Sequence, residues 1–191
     1  YAEIDNLPEW EETIRLTSWP RGTDKLFAIR DFEMRSAGGQ RLARATSSWL
    51  IIDRDSKRIQ RPDNNLTRLN SDPGEGNGIL RNAGKIEAAL PGGKTTQPFK
   101  VKISDLDVNH HTNNTSYLRW VSDTYDLDFI LRNIPESVEI NYLSESRFDD
   151  TVEILTSVSD EDAGLFSHSA LRPAGSSELC RVRIHWKRIL S

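Results

Sequence analysis

The sequence predicts an α+β chain that carries one structural unit twice, each unit a curved antiparallel sheet made to wrap a helix. Three observations predict it: an ordered series of internal matches, a set of alternating strands in each half, and one amphipathic helix ahead of the second set. Leu42, Ala43, Arg44, Ala45 and Trp49 have the spacing of Leu179, Cys180, Arg181, Val182 and Trp186. Upstream, Leu26-Phe27 matches Leu165-Phe166, Ala37-Gly38 matches Ala174-Gly175, and Glu3-Ile4 matches Glu139-Ile140, in the same order. An ordered series that ends in a shared Leu-x-Arg-x-x-x-x-Trp pattern marks a duplication.

In the first half, alternation and turn signals predict strands over residues 12–19, 24–35 and 41–53. In the second half they predict strands over 137–144, 151–158, 164–171 and 178–188. Asp149-Asp150, Asp160 to Gly164 and Pro173 to Ser176 separate these at hairpin-like spacings. Ahead of the second set come a strand at 98–104, a loop at 105–113 and a helix from about Asn114 to Leu131. Tyr117, Val121, Tyr125 and Phe129 follow one another at helical spacing, Leu118 and Trp120 widen the face, and Arg119, Ser122 and Asp126 turn away from it. Such a helix needs a sheet to pack on.

A helix wrapped by a strongly curved antiparallel sheet is the hot-dog arrangement, and the order strand, helix, four strands suits residues 98–191 as one complete unit. Residues 1–53 then read as the C-terminal part of a first, tandem unit that lacks its own strand and helix. An open sheet without a helix leaves an apolar face in water, so roughly 40 or more residues are expected before Tyr1. Residues 54–97, with Pro62, Pro73, Pro91 and glycines among polar residues, read as linker. Within them Gly93-Lys94-Thr95 looks like the end of a phosphate-binding loop, but Ala88 stands where that motif requires glycine and no clear strand precedes it.

Composition narrows the function classes. With 191 residues and 36% hydrophobic content the chain can bury modest cores, and its net charge of -4 offers no general attraction to nucleic acid. An acidic partner would need a local cluster of Lys and Arg. The single cysteine, Cys180, excludes an internal disulfide framework and a multi-cysteine zinc site, and the expectation is a cytoplasmic protein. No apolar run approaches the roughly 20 residues of a membrane span, and the first residues resemble neither a signal nor a transit peptide.

The densest polar constellation is Asp105, Asp107, Asn109, His110, His111, Asn113 and Asn114, in the loop that leads into the helix. The first turn of a helix carries unpaired NH groups and the positive end of its dipole, so it can stabilise the oxyanion of an attacked carbonyl. Asn113 or Asn114 would cap it. Taken singly, these residues are ordinary loop turns and caps. Their joint occurrence points to a site.

Ser104 to Asn114, followed by Tyr117 and Trp120, resembles the signature of the acyl-ACP thioesterases, a tandem hot-dog family. Similarity continues in Trp19-Pro20, Arg30-Asp31-Phe32, Ala45 to Trp49 and Tyr142 to Glu145, in order over nearly the whole chain. The resemblance implies an active site in the second unit, an acyl-chain pocket contributed by the first, acyl carrier protein as partner and no cofactor. By motif position it implies Asp107, Asn109, His111 and Glu145 as catalytic residues, while Asn113 and Asn114 stand at the helix start read above as the oxyanion region. Many members have cysteine where Ser146 stands, so an essential thiol there is untenable for this chain. Glu145 and His111 are then expected to orient or deprotonate a water, Asn109 to position it or the thioester, and Asp107 to orient His111 or attack directly.

His110 is expected to be peripheral. Metal ligation by His110, His111 and Asp107 is disfavoured because adjacent histidines on an extended loop point apart. His168 and His185 read as surface or packing residues, Cys180 as a small core residue, and Trp49 and Trp186 as framework. Two rival functions are a hot-dog acyl-CoA thioesterase and a non-catalytic acyl- or protein-binding module. A dehydratase on this fold would use a different His-centred motif. A tandem chain already supplies a pair of units, so both monomer and homodimer fit.

Overall fold

The computed structural model describes residues 1–53, 55–62, 79, 81–160, 164–173 and 177–189, with Ser159 given by its backbone alone. It divides into two units, Tyr1–Gly84 and Lys85–Ser191.

In the first unit β1 (Ala2–Ile4), β2 (Ile14–Asp24), β3 (Phe27–Ser36) and β4 (Arg41–Ile52) form an antiparallel sheet in the order β2-β3-β4-β1, and β5 (Ile59–Gln60) pairs with the end of β4. Three of these strands lie where alternation predicts them. Among the described residues this unit contains no α-helix. Between Pro20 and Gly22 the β2–β3 register shifts by one residue. The bulge turns Arg21 toward the fully buried Asp31, and its guanidinium donates to Asp31 Oδ1 (3.1 Å) and to Thr46 Oγ1 (3.0 Å). Asp31 in the Arg30-Asp31-Phe32 stretch is therefore the buried half of an ion pair whose arginine reaches solvent.

The second unit contains β6 (Lys94–Thr95), β7 (Phe99–Lys100), a 3₁₀ turn (Ile103–Asp105), α1 (Asn114–Ser122), α2 (Leu127–Arg132), β8 (Asn133–Tyr142), β9 (Thr151–Asp160), β10 (Leu165–Leu171) and β11 (Glu178–Arg188). Its sheet runs β8-β11-β10-β9-β6, with β7 also on β9. Strand alternation sends Cys180, Val182, Ile184 and Trp186 inward, where they meet Tyr117, Trp120 and Val121 of α1 in one core. Each such side chain removed from water contributes about 1.5–3 kcal/mol. This is the predicted helix wrapped by a sheet.

The duplication is visible in backbone geometry. The carbonyl of Leu42 accepts the NH groups of Asp5 and Asn6 (2.9 and 3.1 Å), and the carbonyl of Leu179 accepts those of Leu143 and Ser144 (2.9 and 3.1 Å). The finer matches need correction. Glu3 faces Arg44 while Asn141 faces Arg181, so Glu3 corresponds to Asn141 and not to Glu139. Arg30 faces Ser47 while Phe166 faces Ile184, which puts Phe166 at the position of Arg30 and not of Phe27. Pairing register, set by hydrogen bonds, overrides local similarity in sequence. Ala174-Gly175 lies outside the described residues.

Three other expectations change. The single helix over 114–131 is two helices: Ser122 Oγ and Thr124 Oγ1 donate to the carbonyls of Leu118 and Val121, and the Asp126 side chain accepts the Phe129 NH as a new cap. The apolar stripe survives this break, since Tyr117, Val121, Tyr125 and Phe129 all meet the core. The strand over 98–104 shortens to Phe99–Lys100 before the 3₁₀ turn.

The last stretch of the expected linker packs on the second unit. Asn141 Oδ1, Ser169 Oγ and Ser157 Oγ accept the NH groups of Ile86, Ala89 and Leu90, while Arg181 donates to the Ile86 carbonyl. Lys94–Thr95 pairs with β9, and a Cβ on Gly93 would stand 2.2 Å from the Thr156 carbonyl oxygen. Close approach to a strand explains that glycine, with no phosphate loop involved.

Candidate functional site

The loop between the 3₁₀ turn and α1 closes on itself through Asp107. Its Oδ1 accepts the backbone NH groups of Asn109 (2.8 Å) and His111 (3.2 Å), and its own NH donates to the His111 carbonyl (2.8 Å). The tight path puts His110 in the left-handed region at φ 63°. Desolvation by itself would raise the Asp107 carboxyl. The hydrogen bonds from Asn109 and His111, with His111 nearby, outweigh it and hold the group below the usual carboxylate range.

A second segment locks onto this loop. His111 pairs with Arg147 and Leu106 with Thr112 as isolated antiparallel bridges, and the Thr112 NH donates to the Ser146 carbonyl (2.9 Å). The pairing brings His111 Nε2 within 3.5 Å of Glu145 Oε2. These are 34 residues apart in a sequence where nothing local marks them as neighbours. Arg172 fixes the turn from below, donating to the Glu145 carbonyl (2.8 Å) and to Asp150 Oδ2 (3.3 Å), which also accepts the Arg147 NH. Sequence reasoning missed Arg172, and no local signal could have found it.

Asn113 is the cap of α1: its side chain accepts from Thr115 NH (2.9 Å) and Thr115 Oγ1, and its NH donates to the Asp105 carbonyl. At this end of α1, the NH groups of Thr112, Asn113, Thr115 and Ser116 all have acceptors, whereas none is recorded for the Asn114 NH among the described residues. Asp105, part of the same constellation in the sequence, is buried and ion-paired with Arg119. It builds the framework.

Ser146 is fully buried, and its Oγ shares hydrogen bonds with Thr112 Oγ1 (2.7 Å) and Tyr117 OH (2.9 Å). The side chain points into the core, away from the solvent-facing His111 and Glu145. Cys180 is buried, and burial pushes its thiol well above the usual range. His168, read from sequence as a surface or packing residue, is buried and shares hydrogen bonds with Tyr125 OH (2.8 Å) and Thr156 Oγ1 (2.9 Å). Burial pushes its pKa down to about 4. His185 pairs with Glu136 at 2.8 Å. Trp186 belongs to the core and donates to Tyr125 OH, but Trp49 is 53% exposed, so the shared framework role holds only for Trp186.

Among the described residues no group of three or more His, Cys, Asp or Glu side chains is placed to hold a metal ion. Nor is any helix among them long and apolar enough to cross a membrane. A cleft of about 510 Å³ opens elsewhere on this unit, between residues 90–94, Tyr125, Phe129, Thr156 and Phe166. None of the polar cluster lines it.

Comparison with known proteins matches residues 90–188 to the acyl-ACP thioesterase C-terminal domain and residues 1–69 to the N-terminal domain of the same family. The oleoyl-acyl carrier protein thioesterase of Coriandrum sativum is 27% identical over 177 residues, covering 86% of this chain and 47% of that protein. The chain thus spans about half the length of the curated relatives it matches. Among solved structures, the 12:0-ACP thioesterase of Umbellularia californica has a TM-score of 0.83 at 22% identity, covering 98% of this chain and 73% of that one. An acyl-ACP thioesterase from Bacteroides thetaiotaomicron has a TM-score of 0.82 at 19% identity, covering 97% and 73%. At that identity the likeness carries the tandem hot-dog fold alone.

Proposed function

The chain belongs to the acyl-ACP thioesterase family, and we propose that it hydrolyses the thioester of a fatty acyl chain carried on acyl carrier protein. The observation that carries this reading is the His111–Glu145 pair, 3.5 Å apart and solvent-facing beside the capped start of α1. His111, backed by the Glu145 carboxylate, takes a proton from a water as the water oxygen bonds to the acyl carbon. The carbonyl oxygen becomes an oxyanion that the Asn114 NH can receive, at the positive end of α1. The carbonyl re-forms as the carbon–sulfur bond breaks, and the departing thiolate needs little acid assistance, taking up the water's proton from His111.

In this reading Asn109, whose NH donates to Asp107 in the same loop, positions the water or the thioester. Asp107 acts through the backbone: its Oδ1 accepts the two NH groups that shape the loop, which supports a positioning role over direct attack. The buried, hydrogen-bonded Ser146 supports a mechanism without a nucleophile at that position. The single free thiol, Cys180, is compatible with a reducing compartment, and we read the protein as cytoplasmic, whereas the coriander relative is named chloroplastic.

The test is thiol release from matched acyl-ACP and acyl-CoA substrates with dodecanoyl, palmitoyl and oleoyl chains. The expected result is faster hydrolysis of acyl-ACP. Absence of release from every thioester would contradict the enzyme reading, and a preference for acyl-CoA would contradict the carrier.

A further inference from the structure

The acyl-ACP reading needs a landing surface for an acidic carrier on a chain whose own net charge is -4. The corner around His111 holds carboxylates, and Asp105, Asp149 and Asp150 among them are ion-paired. Asp105 pairs with Arg119, Asp149 with Lys100, and Asp150 with Arg172 and the Arg147 NH, while Glu145 faces His111. Asp107 turns its Oδ1 to its own loop. Two cations of the corner, Arg147 and Lys102, are exposed and have no recorded ion pair among the described residues.

Arg147 is the cross-strand partner of His111, and opposed residues of an antiparallel bridge project to the same side. Large apolar side chains of the same loop and turn segments are exposed. Val108 is 93% exposed, Ile103 77% and Phe148 57%. Val101 pairs with Asp149 and Asp150 through its own NH and carbonyl, so Lys102 and Ile103 leave the same turn that carries Arg147 and Phe148. Unpaired cations interleaved with exposed apolar residues match a partner that is both acidic and amphipathic.

Resting on the acyl-ACP reading, we propose that Lys102, Ile103, Val108, Arg147 and Phe148 form the surface on which the acidic carrier protein docks. Arg147 is its charged contact closest to the reacting thioester. The carrier's acidic face meets Arg147 and Lys102, its apolar residues cover Val108 and Phe148, and the acyl arm enters beside His111.

The experiment measures binding of carrier protein bearing a non-hydrolysable, thioether-linked acyl arm, by fluorescence anisotropy, to the full chain and to Arg147→Glu, Lys102→Glu and Phe148→Ser. A melting curve for each variant verifies folding. Arg147→Glu is expected to weaken binding about tenfold or more and to flatten its salt dependence. Lys102→Glu and Phe148→Ser weaken it less. In turnover, Arg147→Glu loses at least about fivefold more kcat/KM with acyl-ACP than with the truncated acyl-N-acetylcysteamine thioester. Unchanged carrier binding in a folded Arg147→Glu overturns the docking surface while leaving the enzyme reading intact. Equal losses on both substrates also overturn it, because Arg147 would then act on the chemistry. Arg147-dependent binding without hydrolysis upholds the surface and removes the enzyme reading.

Discussion

Leu42 and Leu179 each accept the same pair of backbone NH groups at the end of the same kind of strand, yet what lies beside them differs. After Leu179, Cys180 and Val182 are fully buried beneath α1; after Leu42, the matching Ala43 and Ala45 are only half-buried, and among the described residues no α-helix belongs to that unit. Exposed Leu16 and Trp49 complete the contrast with Trp120 and Trp186 in the second core. The strand plan is a scaffold common to both halves. The candidate site belongs to the second half: the loop from Asp105, the helix that Asn113 caps, and the Glu145 turn that locks onto the loop.

The largest way to break that contrast is to remove the reacting pair. His111→Ala and Glu145→Ala should each lower kcat for acyl-ACP by at least about 100-fold with melting temperatures near wild type, since positioned acid–base groups contribute this much or more. Retained turnover in both would return the site to a mere loop. Next comes packing. Trp120→Ala should cost about 3–5 kcal/mol of stability in denaturant titration, and Leu16→Ala, on the open face of the first unit, less than about 0.5 kcal/mol. Equal costs would mean that the two faces are equally covered.

A pH experiment sharpens the second core further. His168 is buried between Tyr125 and Thr156 with its pKa pushed down to about 4, so the folded chain refuses a proton that the unfolded chain takes below about 6.5. The stability due to the neutral ring is present above that pH and is lost as pH falls toward 4, by up to about 3 kcal/mol. His168→Gln should flatten this part of the stability curve. An unchanged slope would assign it to other groups. The smallest effect on turnover is expected at Ser146. Ser146→Ala should leave kcat within about threefold, while loss of its two buried hydrogen bonds costs about 1–3 kcal/mol. Loss of turnover without loss of stability would give Ser146 a chemical role.

Much of this was legible in the sequence because it is written locally. Alternation placed seven long strands, helical spacing placed the face of Tyr117, Val121, Tyr125 and Phe129, and the dense run from Asp105 to Asn114 marked the loop. What was hidden depends on partners distant in sequence. The helix break follows from Ser122, Thr124 and Asp126 capturing backbone groups, which a stripe of apolar residues does not reveal. Glu139 and Asn141 are equally plausible equivalents of Glu3 until the β-register decides. Arg172 reaches Glu145 across 27 residues, and polar side chains on the outer sheet face catch the backbone of Ile86 to Leu90 in a stretch that reads as linker.

The central claim is that His111 and Glu145 activate a water while Asp107 only shapes the loop, and one comparison of kcat tests it: Glu145→Gln against Asp107→Asn on the same acyl-ACP. Asparagine keeps an acceptor for the NH groups of Asn109 and His111, so Asp107→Asn should stay within about tenfold of wild type while Glu145→Gln falls by more than about 100-fold. Asp107→Asn as inactive as Glu145→Gln, with the fold retained, would contradict the account and make Asp107 the attacking group.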